Sequence, residues 1–335
     1  MSDPLWISEQ DVVSMMDMPQ AIDALEKGLR AEARGEASNM VKTHAEWGTS
    51  STLHAIGAVF PQAGFVGTKT WAHTEKGATP LLILFDSNTG QLKAIIEAFA
   101  LGQLRTGSAS GVATSRLATE DASEFAIIGT GKQAMPQLAA VVAVRPIKQI
   151  RVFGRDTARR NAFAERVSGE FGIETIPAAT IDEAVRHVPI VTIVTRATQP
   201  IVNAKMLNRG THINAVGAIV PSRAEVGADV LARSTAVVAD SIPQAQKLSR
   251  EMIEFFGPDP ARWTNVTSLA TLIASGRTRT SADDLTLFKS LGMGISDLSL
   301  GIELYQRASQ RGLGRSLPHP QKVLPKLRAI QQTGA

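Results

Sequence analysis

The sequence predicts an α/β protein: a doubly wound, mostly parallel sheet in the middle of the chain, joined to a split α+β unit with an antiparallel sheet. From Glu124 onward, short apolar runs alternate with helical patterns, the mark of parallel strands buried on both faces. Between Met40 and Ala98 strand-like runs follow one another without helices, and Asp86-Ser-Asn-Thr-Gly90 between two of them is a hairpin signal. A length of 335 residues suits two domains rather than one core, and 44% hydrophobic with 20% charged residues is a globular composition.

The elements follow in order. Ser8-Glu-Gln-Asp11 reads as a capping box, and Asp17-Met-Pro19-Gln20 as a second with Pro19 at the first helical position. Ile22, Leu25, Leu29 and Ala33 recur at helical spacing until Gly35, which predicts an amphipathic surface helix. Strands are expected at 53–60, 65–70, 80–85 and 91–98. Residues 101–118 are rich in small side chains and predict a helix packed closely against a neighbour. Then come a strand at 125–128, a helix at 135–144 closed by Arg145-Pro146, a strand at 149–153 and a helix at 158–171. Further strands are expected at 173–176, 190–195, 212–216 and 236–239. A last helix at 299–311 is expected to return to the first unit. The expected domains are thus 1–118 with 301–335, and 119–300.

Composition excludes several functions. The 35 cationic and 31 anionic side chains give a formal charge of +4, and Lys and Arg are scattered, so no nucleic-acid or membrane patch stands out. The absence of cysteine excludes disulfides, thiolate catalysis and cysteine-held zinc. Residues 1–5 carry Asp3 and Pro4, unlike a secretory leader, and no apolar run approaches a membrane span. A cytoplasmic protein is expected.

The strongest local motif follows the strand at 125–128. Gly129-Thr130-Gly131-Lys-Gln133-Ala134 leads into a helix, the G-x-G-x-x-A form of the Rossmann fingerprint. Gly129 permits the tight turn, Gly131 lets backbone approach a pyrophosphate, and Ala134 lets the helix pack on the sheet. The second strand ends Phe153-Gly154-Arg155-Asp156, with Arg159 and Arg160 a turn later. An acid there binds a ribose 2′-hydroxyl, whereas an arginine accepts a 2′-phosphate. Arg155 comes first, which favours NADP; the alternative is NAD, with Asp156 on the ribose and the arginines solvated.

With these motifs in place the chain resembles the ornithine cyclodeaminase/μ-crystallin family. The resemblance rests on Glu97-Ala-Phe-Ala-Leu-Gly-Gln-Leu-Arg105-Thr-Gly-Ser-Ala-Ser-Gly-Val-Ala-Thr114, the glycine motif, Asn214-Ala-Val-Gly-Ala218 and Leu287-Phe-Lys-Ser-Leu-Gly292, in order along nearly the whole chain. It implies a homodimer with a split substrate-binding and dimerisation domain and a Rossmann domain. It also implies that Lys69 and Arg105 meet a substrate carboxylate, as a guanidinium fork and a nearby ammonium are suited to do. Lys42 falls where the family usually has an arginine. Thr106, Thr195, Val216, Gly217 and Ser290 match cofactor-contacting positions, and Arg223 falls where a family lysine approaches the cofactor. The plainer readings are a helix-surface ion pair for Arg105 and an exposed strand lysine for Lys69.

One departure bears on the reaction. The resemblance implies an Asp after Gly-Gly or Gly-Ala in cyclodeaminases and several dehydrogenases of the family, and none in the reductase branch that includes μ-crystallin; here Gly217-Ala218 is followed by Ile219, which handles no proton. The expected function is NAD(P)-dependent reduction of an imino acid to an α-amino acid, or the reverse, with Lys69 or water as proton donor. The alternatives are an ammonia-releasing cyclodeaminase and a non-catalytic μ-crystallin-like binding protein. His44, His54 and His73 show no metal-ligand spacing; one of them is a candidate general acid, and the alternative is packing in a sheet or interface. Trp47 and Trp71 are candidates for pocket walls or for packing.

Overall fold

Strands that are apolar throughout bury both faces only where helices cover them, and the middle of the chain does this. A computed structural model describes residues 3–328; the end of the tail expected at 301–335 lies outside the described residues. Eight strands form one parallel sheet in the order Glu174–Pro177, Gln149–Phe153, Glu124–Ile128, Ile190–Ile193, His212–Ala215, Leu285–Lys289, Ser234–Ala239 and Val266–Ser268. The winding direction reverses between Glu124–Ile128 and Ile190–Ile193, which places a crevice at the carboxyl ends of those two strands. Leu285–Lys289 is a strand that the sequence does not announce. It is buried along its whole length and slots between His212–Ala215 and Ser234–Ala239.

The second sheet has nine strands and runs Arg315–Ser316, Leu5–Ile7, Leu92–Glu97, Leu81–Asp86, Phe65–Thr74, Ser51–Phe60, Ser38–Asn39. Thr43–Trp47 also pairs with Ser51–Phe60, and Gly77–Ala78 with Phe65–Thr74. Its ladders are antiparallel except where Leu5–Ile7 lies parallel to Leu92–Glu97. The expected hairpin is present: Asp86 Oδ1 accepts from the amides of Asn88 and Thr89, both at 2.9 Å, and Gly90 turns with φ +69. Both capping boxes form, at Ser8/Asp11 and Asp17/Gln20, although the second helix starts at Met18, so Pro19 is its second residue.

Two helices join the sheets. Phe99–Leu117 buries a run of small residues from Gly107 to Thr114, with Gly107 against the Pro136 carbonyl and Gly111 against Ile22. Gly294–Arg311 packs on the antiparallel sheet and the Met18–Ala33 helix. Its first residue lies directly on a strand, because a Cβ on Gly294 would sit 1.7 Å from the Gly57 carbonyl oxygen. Any side chain there would push the helix off the sheet, and with it the residues of its first turn.

Candidate active site

The glycine turn follows Ile128 at the reversal of the sheet. Gly129 adopts φ +116, and a Cβ there would lie 2.5 Å from the Val194 carbonyl oxygen, so only glycine fits. A Cβ on Gly131 would meet nothing within 4 Å, which leaves room for a ligand beside the backbone. The Ala134–Val144 helix begins without a side-chain cap, and Ala134 is fully buried against the sheet. A free helix start facing open space fits a pyrophosphate. Thr130 rests its side chain on Gly154, and Gln133 sits at the cap position without capping.

At the end of the second strand, Arg155 and Asp156 are both exposed. Asp156 is the N-cap of Thr157–Phe171, its Oδ1 accepting from the Arg159 amide at 2.9 Å. Arg160 folds back to donate to the Gly154 carbonyl at 3.1 Å. Thr195 and the Val216–Gly217 segment follow the next two strands across the reversal.

Lys69, Arg105 and Lys42 converge from three elements. Lys69 lies mid-strand in Phe65–Thr74, paired in register with Ile56 and Leu82, and is only 3% exposed, so it is not an exposed strand lysine. Its Nζ donates to Asp297 Oδ1 in the first turns of Gly294–Arg311. Arg105 Nε lies 3.3 Å from the same oxygen, so its partner is buried across the domain and not on the helix surface. Asp297 is fully buried, and its Oδ2 has no hydrogen-bond partner among the described residues. Burial pulls the Lys69 pKa down to about 8, Arg105 adds to this, and Asp297 opposes it. Burial also lowers Lys42, helped by Arg105 and opposed by Asp240 and Asp297. Three cations thus face two carboxylates, an excess that suits an anionic ligand.

The cluster abuts the crevice at the reversal of the parallel sheet. Gln137, on the helix after the glycine turn, donates to the carbonyl of Thr106 at 3.0 Å, next to Arg105. On the other side Arg105 meets Gly292, where a Cβ would stand 3.1 Å from Nη1. Gly292 belongs to the turn after Leu285–Lys289, which the buried Asp240 grips through the amides of Leu291 and Gly292 and the Ser290 hydroxyl. The Ser290 hydroxyl therefore faces Asp240. Beneath lies Glu32, raised to about 7 mainly by burial; it accepts from Asn39, whose Oδ1 accepts from the Ile295 amide.

Trp71 stands 5.2 Å from Lys69 Nζ and stacks on His54 at 4.7 Å, with His44 beyond at 5.8 Å. Burial, with Lys42 adding, lowers the His54 pKa to about 4, which disfavours an imidazolium there as proton donor. Trp47 is 45% exposed and Ile219 is 37% exposed. Arg223 is partly buried in the turn beyond Ile219. Sequence reasoning missed Asp297, Asp240 and Glu225. Asp240 ends an apolar run, Ala236-Val-Val-Ala239, which is itself a signal, since a carboxylate that is buried must find donors; Glu225 and Asp297 lie among polar neighbours and carry no such signal.

Known proteins are similar to this chain in sequence and fold. A Delta(1)-pyrroline-2-carboxylate reductase of Bacillus cereus is 31% identical over 271 residues, 79% of this chain and 81% of that protein. The structure of the Thermococcus litoralis Delta(1)-pyrroline-2-carboxylate reductase, in complex with NADH and L-proline, superposes with a TM-score of 0.86 at 27% identity, covering 93% of this chain and 100% of that one. An archaeal alanine dehydrogenase dimer with bound NAD also gives 0.86, at 26% identity over 94% and 99% of the two chains. Residues 3–312 match one family model, and the chain belongs to the ornithine cyclodeaminase/mu-crystallin family.

Proposed function

We propose that the protein reduces a cyclic α-imino acid to the corresponding α-amino acid, with NADP(H) preferred over NAD(H). At the coarser level the chain is an NAD(P)-dependent imine-reducing enzyme, like the relatives it matches. The observation that carries the finer reading is the buried Lys69–Asp297–Arg105 cluster beside the dinucleotide crevice. The dinucleotide supplies the hydride that reduces the imine carbon. Arg105 and Lys42 take the substrate carboxylate, the first as a planar fork and the second as a mobile charge. Lys69, with its pKa near 8, gives a proton to the imine nitrogen. Asp297 fixes that ammonium, and its free Oδ2 accepts an N–H of the product.

Arg155, exposed at the end of the second strand while Asp156 is occupied as a cap, supports the preference for the 2′-phosphate. Ile219 supports reduction over deamination, because it offers hydrocarbon where a base would be needed. Trp47, Leu53 and Val59, exposed on neighbouring outer strands, support a homodimer, and no described helix is long and apolar enough to cross a membrane. We place the protein in the cytoplasm, with a small imino or amino acid as its partner. The test is parallel assay of Delta(1)-pyrroline-2-carboxylate, its six-membered homologue, pyruvate with ammonia or methylamine, and ornithine, each with NADPH and NADH. Stoichiometric cofactor oxidation with a cyclic imine is expected. Turnover confined to pyruvate with ammonia would overturn the cyclic-substrate reading, and sedimentation as a monomer would overturn the dimer.

A further inference from the structure

Glu225 lies outside the glycine motif and outside the cation cluster, and it is fully buried. Its Oε1 accepts from the Thr195 amide at 2.7 Å and the Thr195 hydroxyl at 2.9 Å. Its Oε2 accepts from the amides of Gly217 at 2.7 Å and Ala218 at 3.0 Å. One side chain thus ties the turns that end two adjacent parallel strands, Ile190–Ile193 and His212–Ala215. It is held in turn. Glu251 Oε1 accepts from the Glu225 amide at 2.5 Å, and Glu251 Oε2 pairs with the buried Lys289 at 2.8 Å. The fit is tight, since a Cβ on Gly217 would fall 2.4 Å from Glu225 Oε1 and 2.1 Å from the Thr195 carbonyl oxygen.

The two turns lie across the reversal of the sheet from the glycine turn. The glycine turn and the second strand serve the pyrophosphate and the adenosine ribose, which leaves these two turns to the nicotinamide end. In a trans peptide the N–H and C=O point in opposite directions. Drawing the amides of Gly217 and Ala218 onto Glu225 therefore sends the carbonyls of Val216 and Gly217 the other way, as acceptors for a carboxamide NH₂. We infer that Glu225 is a positioning residue for the nicotinamide, acting through the Thr195 and Val216–Ala218 turns without touching the cofactor. This rests on the dinucleotide reading proposed above.

The test compares wild type with Glu225→Gln, which keeps the shape but turns an NH₂ toward donor groups. NADPH and NADH are titrated by nicotinamide fluorescence. ADP-ribose and its 2′-phosphate, which lack the nicotinamide, are titrated by calorimetry. The expected result is at least a tenfold rise in Kd for the whole dinucleotides, with ADP-ribose binding within twofold of wild type. Equal loss for both ligand types would mean a merely structural carboxylate, and no loss for either would mean an idle one; each overturns the inference. Wild type that binds none of these ligands would overturn the dinucleotide reading as well. Should the glutamine variant not fold, Glu225→Asp keeps the charge but withdraws it by one methylene, and the same titrations separate the same outcomes.

Discussion

Replacing Asp297 with asparagine keeps the shape of the side chain and removes one charge from a fully buried site. Two unit charges about 4 Å apart attract by about 4 kcal/mol at an effective dielectric near 20. Relaxation and the hydrogen bond that asparagine retains leave about 2–3 kcal/mol of this on the Lys69 proton, or about two pK units at 1.36 kcal/mol each. The Lys69 pKa should then fall from about 8 to about 6. Reduction needs the ammonium, so its rate is full below the Lys69 pKa and is lost as pH rises through it. Wild-type kcat/KM for the imino acid, at saturating cofactor, should break downward near pH 8. The Asp297→Asn break should lie near pH 6, with about a tenfold deficit at pH 7 that disappears at about 5. Stability follows the same proton. Lys69 titrates lower in the folded variant than in folded wild type, so the part of the variant's deficit that is linked to Lys69 is full below about pH 6 and vanishes above about 8, where Lys69 is neutral in both. The assay is cofactor absorbance against pH with both proteins, alongside thermal unfolding at the two ends of the range. A break that stays near 8 in the variant, whatever its absolute rate, would refute Lys69 as the donor held by Asp297.

Arg105→Ala should raise KM for the imino acid by about 100-fold, a few kcal/mol of charge-assisted binding, while circular dichroism shows an intact fold; unchanged kinetics would remove Arg105 from the site. Arg155→Asp should shift the preference from NADPH toward NADH by about tenfold or more, since a 2′-phosphate loses its cation and meets a like charge. If wild type already binds NADH more tightly, Asp156 is the ribose ligand instead. Ornithine with NAD should release no ammonia above background, because a positioned base contributes about 10²–10⁴-fold and Ile219 supplies none. Turnover near one per second, an ordinary enzyme rate, would restore the cyclodeaminase reading.

Elements whose signal is local are legible in the sequence. The two capping boxes, the Asp86–Gly90 hairpin and the strand–glycine–helix unit at 124–144 each specify their backbone with a few adjacent residues. Leu285–Lys289 is not legible in this way. Its burial depends on two partners, His212–Ala215 and Ser234–Ala239, about fifty or more positions earlier, and nothing within Leu-Thr-Leu-Phe-Lys specifies that slot. The parallel pairing of Leu5–Ile7 with Leu92–Glu97 is hidden for the same reason. Three residues carry too little periodicity to announce a strand.

The site divides along the same line. Gly129 and Gly131 in the glycine turn and Arg105 on the Phe99–Leu117 helix sit in motifs that spell their chemistry. The carboxylates buried around them do not. Asp297 is 228 positions from Lys69, Asp240 grips a turn 50 residues on, and Glu225 grips one 30 residues back. A buried carboxylate is stable only with donors, and those donors come from whichever strands the fold brings near, so its role is written in the topology. Two of the three acids hold turns at the carboxyl ends of strands of the parallel sheet: Asp240 closes the turn after Leu285–Lys289, and Glu225 joins the turns after Ile190–Ile193 and His212–Ala215. Asp297, on the Gly294–Arg311 helix, holds Lys69 and Arg105. Amides bound to a carboxylate are unavailable to ligands, so each acid also selects which carbonyls and cations face the crevice. In the proposed site, the groups left to meet a substrate carboxylate are then the guanidinium nitrogens that Arg105 keeps beyond its Nε contact with Asp297, together with Lys42.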